Sequence, residues 1–367
     1  MKLFRDLFGR DEPIRNYEDF WTWFVRNEKS FYAAIKQRND IEQNVFDKIS
    51  PKLAELQDGF VLLAGMQGGE TAELVITADG DIKNIAACED LVGAAPMIDN
   101  WLFTALKQEA DGFTVRMGPF EYSDDNIFFF ANETWDYPDE IDLVFAHPDL
   151  NEENESNIKH GIFIFLDNYL GELSFATDID KVSMVPRAQM EGTARPLSEL
   201  KKYLADRKAS FLEKYEGSRY DTENDPHSMM EADLEGGFPL LAVINTSLLS
   251  WDGKASHPWI AAFRIVYPDR ENRGLPSEST YIAINKIEDE LLSELKDQDG
   301  YLNVGRETAK NRRTIFFACT DFRLPSKVLR RVAQKHSERY EIEFEIYKDK
   351  YWRSFDQFIP ENEGAVN

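Results

Sequence analysis

A chain of 367 residues that is 43% apolar and 13% aromatic has enough surface to bury to exclude a disordered protein, and it is too long for one ordinary core, so two domains are expected. Its 67 acidic side chains against 42 basic ones leave a formal charge of −25, which repels phosphate backbones and anionic lipid and argues against direct nucleic-acid binding by the whole chain. Two cysteines, Cys88 and Cys319, are too few for a disulfide framework. With no 18-residue apolar run and no signal-peptide pattern, the expected location is cytoplasmic, with no membrane span.

In chain order, Leu3, Phe4, Leu7 and Phe8 share one side of a short segment that is expected to dock on the protein itself, because Asp6 and Asp11 oppose anionic lipid. A broken helix is predicted from Tyr17 to Leu56, with Phe20, Trp21, Phe24, Phe31 and Ile35 at helical spacing. Two β-rich runs around Gly68-Gly69 read as a hairpin, and residues 88–109 as a helix interrupted at Pro96. Strands are predicted at 113–118, 126–133, 141–147, 161–167 and 171–178, with 151–160 as helix or loop and a closing helix from Leu197 to Tyr215. This order suggests an acidic α+β domain over 1–216, an antiparallel sheet with helices on one face. Residues 217–237, rich in Gly, Asp, Glu, Asn and Ser, read as a linker.

The segment 238–360 has a clearer pattern. Strands at 238–249 and 257–269 flank a Trp-Asp-Gly turn. Ser277 offers a cap to a helix carrying Ile284, Ile287, Leu291 and Leu295 on one stripe. A hairpin turns at Ala309-Lys310-Asn311, a second helix starts at Pro325-Ser326, and a last strand puts Glu341, Glu343 and Glu345 on one face. After an extra N-terminal strand the order is β-α-β-β-α-β, a ferredoxin-like domain. Residues 361–367 read as a disordered tail.

Val304-Gly305-Arg306 with Thr308, Arg312-Arg313 with Phe316 and Phe317, and Asp349, Trp352, Phe355 and Pro360 carry a resemblance to the bacterial "domain of unknown function 695" family, over about a third of the chain. By fold the segment is also similar to the regulator of ribonuclease E activity B, a small acidic protein that inhibits an RNA-degrading enzyme by binding it. Fold alone does not carry function, and residues 1–216 resemble no characterised family.

No motif for catalysis stands out. His147, Asp149, Glu152, Glu153, Glu155 and His160 cluster in sequence but lack a metal-binding pattern, so no metal and no cofactor is implied. Gly65, Gly68 and Gly69 read as turn glycines rather than a phosphate loop. The acid pairs Asp124-Asp125 and Asp178-Asp180 lie in predicted turns. The charge, however, is uneven: residues 238–360 hold 19 Lys and Arg against 18 Asp and Glu, so the excess acid lies in the first half. Between Arg306 and Arg339 ten bases face three acids. Arg306, Arg312, Arg313, Lys327, Arg330, Arg331 and Lys335 are the candidate residues for binding an anion or partner, and the helical spacing from Lys327 to Lys335 makes one cationic face. The alternative is a face that meets solvent or the chain's own acids.

The expectation is a non-enzymatic binding or regulatory protein of the bacterial cytoplasm that acts through a protein partner. Two other readings are an enzyme with an interdomain pocket for an anionic substrate, and a regulator of RNA metabolism. No signal for an oligomeric state is present.

Overall fold

The computed structural model describes residues 13–190, 194–269 and 272–359; the expectations for Leu3, Phe4, Leu7 and Phe8 and for the 361–367 tail lie outside the described residues. Helices and several sheets give a mixed α+β chain. It divides into two compact units, Met1–Ser123 with Asn151–Ala176, and Asp124–Leu150 with Thr177–Asn367. This division does not follow the expected limits of 1–216 and 238–360, because residues 124–150 and 177–216 share a unit with the C-terminal sheet.

In the first unit, α1 (Tyr17–Gln37) starts where the Asn16 side chain accepts from Asp19 N at 2.9 Å and ends at Arg38 in the left-handed region. It buries Phe20, Trp21, Phe24 and Phe31, with Trp21 against Phe103 and Phe24 against both Trp101 and Phe103. A π-helical turn (Glu42–Phe46) leads into α2 (Asp47–Ala54), the break expected in the long helix. β1 (Val61–Gln67) and β2 (Thr71–Thr77) pair antiparallel across Gly68 and Gly69, both at positive φ. α3 (Ile82–Gly93) then carries the chain to β3 (Trp101–Ala105), which pairs parallel with β2. The predicted helix over 88–109 is therefore helix only to Gly93 and strand from Trp101. β4 (Val115–Met117) and β5 (Phe120–Tyr122) form a separate hairpin.

The strands expected at 161–167 and 171–178 are helices, α4 (Glu155–Leu170) and α5 (Glu172–Asp178). Ile158, Ile162, Phe165, Leu166 and Tyr169 are all buried, a spacing that closes one helical stripe. Gly161 is required because the Tyr122 ring lies where its Cβ would stand. The buried Glu172 carboxylate accepts from the Thr77 hydroxyl, from Gly80 N at 3.0 Å and from Lys107 N at 3.1 Å, so it ties α5 to two loops.

The second unit opens with β6 (Phe128–Ala131), β7 (Asp142–His147), β8 (Lys181–Pro186) and β9 (Arg195–Pro196), ordered β8-β7-β6-β9 with β7 and β8 parallel. The single antiparallel sheet expected for 1–216 is thus several sheets with two parallel pairings. Helix α6 (Leu200–Lys214) follows. β10 (His227–Leu234), in the segment read as a linker, pairs along its whole length with β11 (Phe238–Asn245).

Asn245 caps α7 (Thr246–Leu249). The remaining elements are β12 (Trp259–Val266), α8 (Glu278–Glu294) capped by Ser277, β13 (Tyr301–Ala309), β14 (Arg312–Cys319), α9 (Arg323–His336) and β15 (Glu341–Lys348). The sheet runs β10-β11-β13-β14-β12-β15, antiparallel throughout. At the bulge in β13, Gly305 sits at φ +136, and a Cβ there would lie 2.2 Å from the Val243 carbonyl oxygen of β11. One end of one sheet face is covered by Trp352, Phe355 and Phe358 over Ile260, Ala318 and Leu302. Beyond this cover Glu341, Glu343 and Glu345 are exposed, with Arg264 3.1 Å from Glu343.

Candidate functional site

The fold distributes the predicted basic run instead of gathering it. Arg306 Nη1 donates to Glu288 at 2.6 Å. Arg313, 2% exposed, donates to the same carboxylate at 3.3 Å, to Asn285 Oδ1 at 2.6 Å and to Thr308 Oγ1 at 3.2 Å, with its guanidinium beside the Tyr281 ring. Burial draws the Arg313 pKa down while Glu288 opposes the shift.

On α9, Arg331 pairs with Glu294, and Lys335 with Glu290 at 2.8 Å. Burial alone would raise Glu290, but the bonds from Lys335 and His336 outweigh it and hold the carboxyl below its ordinary value. The Arg330 guanidinium lies 5.3 Å from the Phe344 ring centre. Arg312 is exposed, and strand alternation turns it to the face opposite Arg313. Arg306 and Arg313 therefore converge on one acid, Arg331 and Lys335 meet two others on α8, and Arg312 stands apart.

A second charged cluster joins the early and late parts of this unit. Asp180 accepts from Ile141 N at 2.6 Å and pairs with Lys348 at 2.8 Å and Lys350 at 2.7 Å. Asp139 receives Lys214 and the hydroxyls of Tyr215 and Tyr351. Burial would raise its pKa, but these three bonds prevail and lower it. Glu140 holds Lys181 at 2.7 Å and Arg353. Every member has a partner, which is the arrangement of a structural joint.

A cleft of about 860 Å³ lies between the 219–223 segment and the end of α8, lined by Arg219, Tyr220, Leu292, Lys296, Gln298 and Asn303 among others. A smaller cavity of about 570 Å³, lined by Phe211, Leu212, Ser256, Pro258 and Thr320, shares Arg219 with it. Arg219 donates to the Ser218 carbonyl at 2.7 Å, and neither Arg219 nor Lys296 has a carboxylate partner among the described residues. Asp221, Glu223 and Asp297 also line the larger cleft, and Asp297 is engaged by Thr222 N and Oγ1.

Ser256 Oγ is 2.8 Å from His257 Nδ1 but donates to the Gly253 carbonyl at 2.6 Å. The imidazole must then be the donor to the hydroxyl, the reverse of a serine nucleophile and its base. Burial pushes His257 down to about 4, a further obstacle to taking a proton at neutral pH. Among the described residues no group of three or more His, Cys, Asp and Glu is placed to hold a metal ion, and no helix is long and apolar enough to cross a membrane.

The feature missed in the sequence is the sheet edge. β10 is an eight-residue edge strand that, among the described residues, pairs with β11 alone, with His227, Met229, Glu231 and Asp233 exposed and Met229 71% accessible. An antiparallel edge turns the N–H and C=O groups of alternate residues outward. The Glu235-Gly236-Gly237 turn before β11 was its one local signal.

Residues 236–359 match the family of unknown function DUF695. No curated protein and no solved structure matches the chain.

Proposed function

We propose that this is a non-enzymatic binding protein of the bacterial cytoplasm, that it works through protein contacts, and that a partner adds its own strand to β10. The observation that carries this reading is the eight-residue outer edge of a six-stranded sheet, which no other strand among the described residues pairs with, a ready template for main-chain pairing. The neighbouring order β13-β14-β12-β15 supports a ferredoxin-like reading of the sheet, extended by β11 and β10. The likeness to the ribonuclease regulator rests on that order alone. An RNA-binding reading would draw on the cationic face of α9, where Arg331 and Lys335 already hold carboxylates.

The test is site-specific photocross-linking in bacterial cells. A benzophenone amino acid in place of Met229 is expected to capture one defined protein, and the same group in place of the exposed Ile282 on α8 to capture none. Equal capture at both positions would remove β10 from the proposal.

A second reading, as a protein that binds an anionic small molecule, is favoured by Arg219 and Lys296 in the larger cleft. If it holds, calorimetric titration with inorganic phosphate shows a weak, salt-sensitive site that disappears in the Arg219→Ala, Lys296→Ala double variant. An isotherm that the double variant leaves unchanged would rule the cleft out.

A further inference from the structure

We infer that the strand added to β10 is basic, an extended segment carrying Lys or Arg at alternate positions. This rests on the reading of β10 as the docking edge. Residues 220–237 contain six acids, Asp221, Glu223, Asp225, Glu231, Asp233 and Glu235, and no Lys or Arg. Strand alternation places His227, Met229, Glu231 and Asp233 on one face, while Met230 on the other packs against the apolar cover of the sheet. An incoming strand therefore meets two acids, Glu231 and Asp233, at successive cross-strand positions of the exposed face, where opposite charges stabilise and like charges destabilise pairing.

The hairpin already receives one guanidinium of this kind. Arg273 donates through Nε to the Gly237 carbonyl at 2.9 Å and through Nη2 to Asp233 at 3.4 Å. The other edge of the sheet differs, since on β15 Glu343 and Glu345 are both within ion-pair distance of Arg264. A second copy of this chain is a poor occupant. It would bring a further −25 of charge to a contact of eight residues a side, well short of the roughly 20–30 residues a side of a stable interface.

The experiment uses the full chain and two octapeptides of alternating sequence, one Lys-Thr and one Glu-Thr, with hydrogen exchange of the β10 amides and fluorescence anisotropy as readouts. The Lys-Thr peptide is expected to protect β10 and to bind about tenfold more weakly when the salt is raised from low to physiological strength. In the Glu231→Lys, Asp233→Lys variant the preference should invert toward Glu-Thr. Protection of β10 by both peptides would overturn the basic partner while leaving the docking edge in place. Lys-Thr binding that leaves β10 unprotected would show attraction to the general surface and overturn the proposal. Failure of both peptides would mean that the acids guard the edge against pairing, and both readings would fall.

Discussion

Replacing Asp180 by alanine is expected to cost the second unit about 3–5 kcal/mol of stability, the range for breaking a buried ion pair by removing one partner. The carboxylate is the shared partner of two ammonium groups in a buried setting, Lys348 and Lys350, and it also accepts from Ile141 N. Burial already draws the Lys348 pKa down, and the neighbouring Lys350 adds to that shift while Asp180 opposes it. Without Asp180 two adjacent positive charges lose their counter-charge. Lys350 keeps the Asp139 carbonyl at 2.6 Å and Lys348 the Thr177 carbonyl at 2.6 Å, neither of which carries a full negative charge. Urea unfolding, with hydrogen exchange to localise the change to β15 and the 139–141 segment, measures the loss. Adding Lys348→Met and Lys350→Met to the alanine variant should recover most of it, since apolar replacement of a whole buried pair is often neutral. A loss below about 1 kcal/mol in the single variant, the size of an exposed pair, would show that water reaches the cluster.

Glu288→Ala should have an effect of similar size, about 3–5 kcal/mol, for a related reason. Arg313 cannot reach solvent and does not lose its proton in proteins, so its charge has to be balanced where it stands. Asn285, Thr308 and the Tyr281 ring remain around it but are neutral. Glu288→Gln keeps an acceptor for the guanidinium and should cost less than alanine. Equal losses for the two variants would assign the whole effect to the lost charge, since glutamine keeps the side-chain volume. Exchange of the β13 and β14 amides is the local readout, because Arg306 and Arg313 lie on those strands.

The C-terminal sheet was legible because its strands alternate cleanly and its helix α8 opens with a serine cap, so local pattern and final environment agree. Residues 161–167 were not legible, because Gly-Ile-Phe-Ile-Phe satisfies a strand period over a short window, and only the longer run from Ile158 to Tyr169 shows the helical one. β10 escaped for the opposite reason. His-Ser-Met-Met-Glu-Ala-Asp-Leu has little apolar alternation, and its strand form comes from pairing with β11. The cationic stripe on α9 was visible as spacing. Its partners were not, since spacing tells which residues share a face and not which acids the fold sets opposite. Glu290 and Glu294 are 37 to 46 residues away from the bases they meet.

Gly305 gives the sheet edge a dependence far from the edge itself. With the Val243 carbonyl oxygen where a side chain would begin, β11 can lie at ladder distance from β13 only while position 305 carries a hydrogen. Among the described residues β10 hydrogen-bonds into the sheet ladder through β11. The whole β10–β11 hairpin is thus seated on one glycine, and a single methyl group there would act on the outermost strand without touching it.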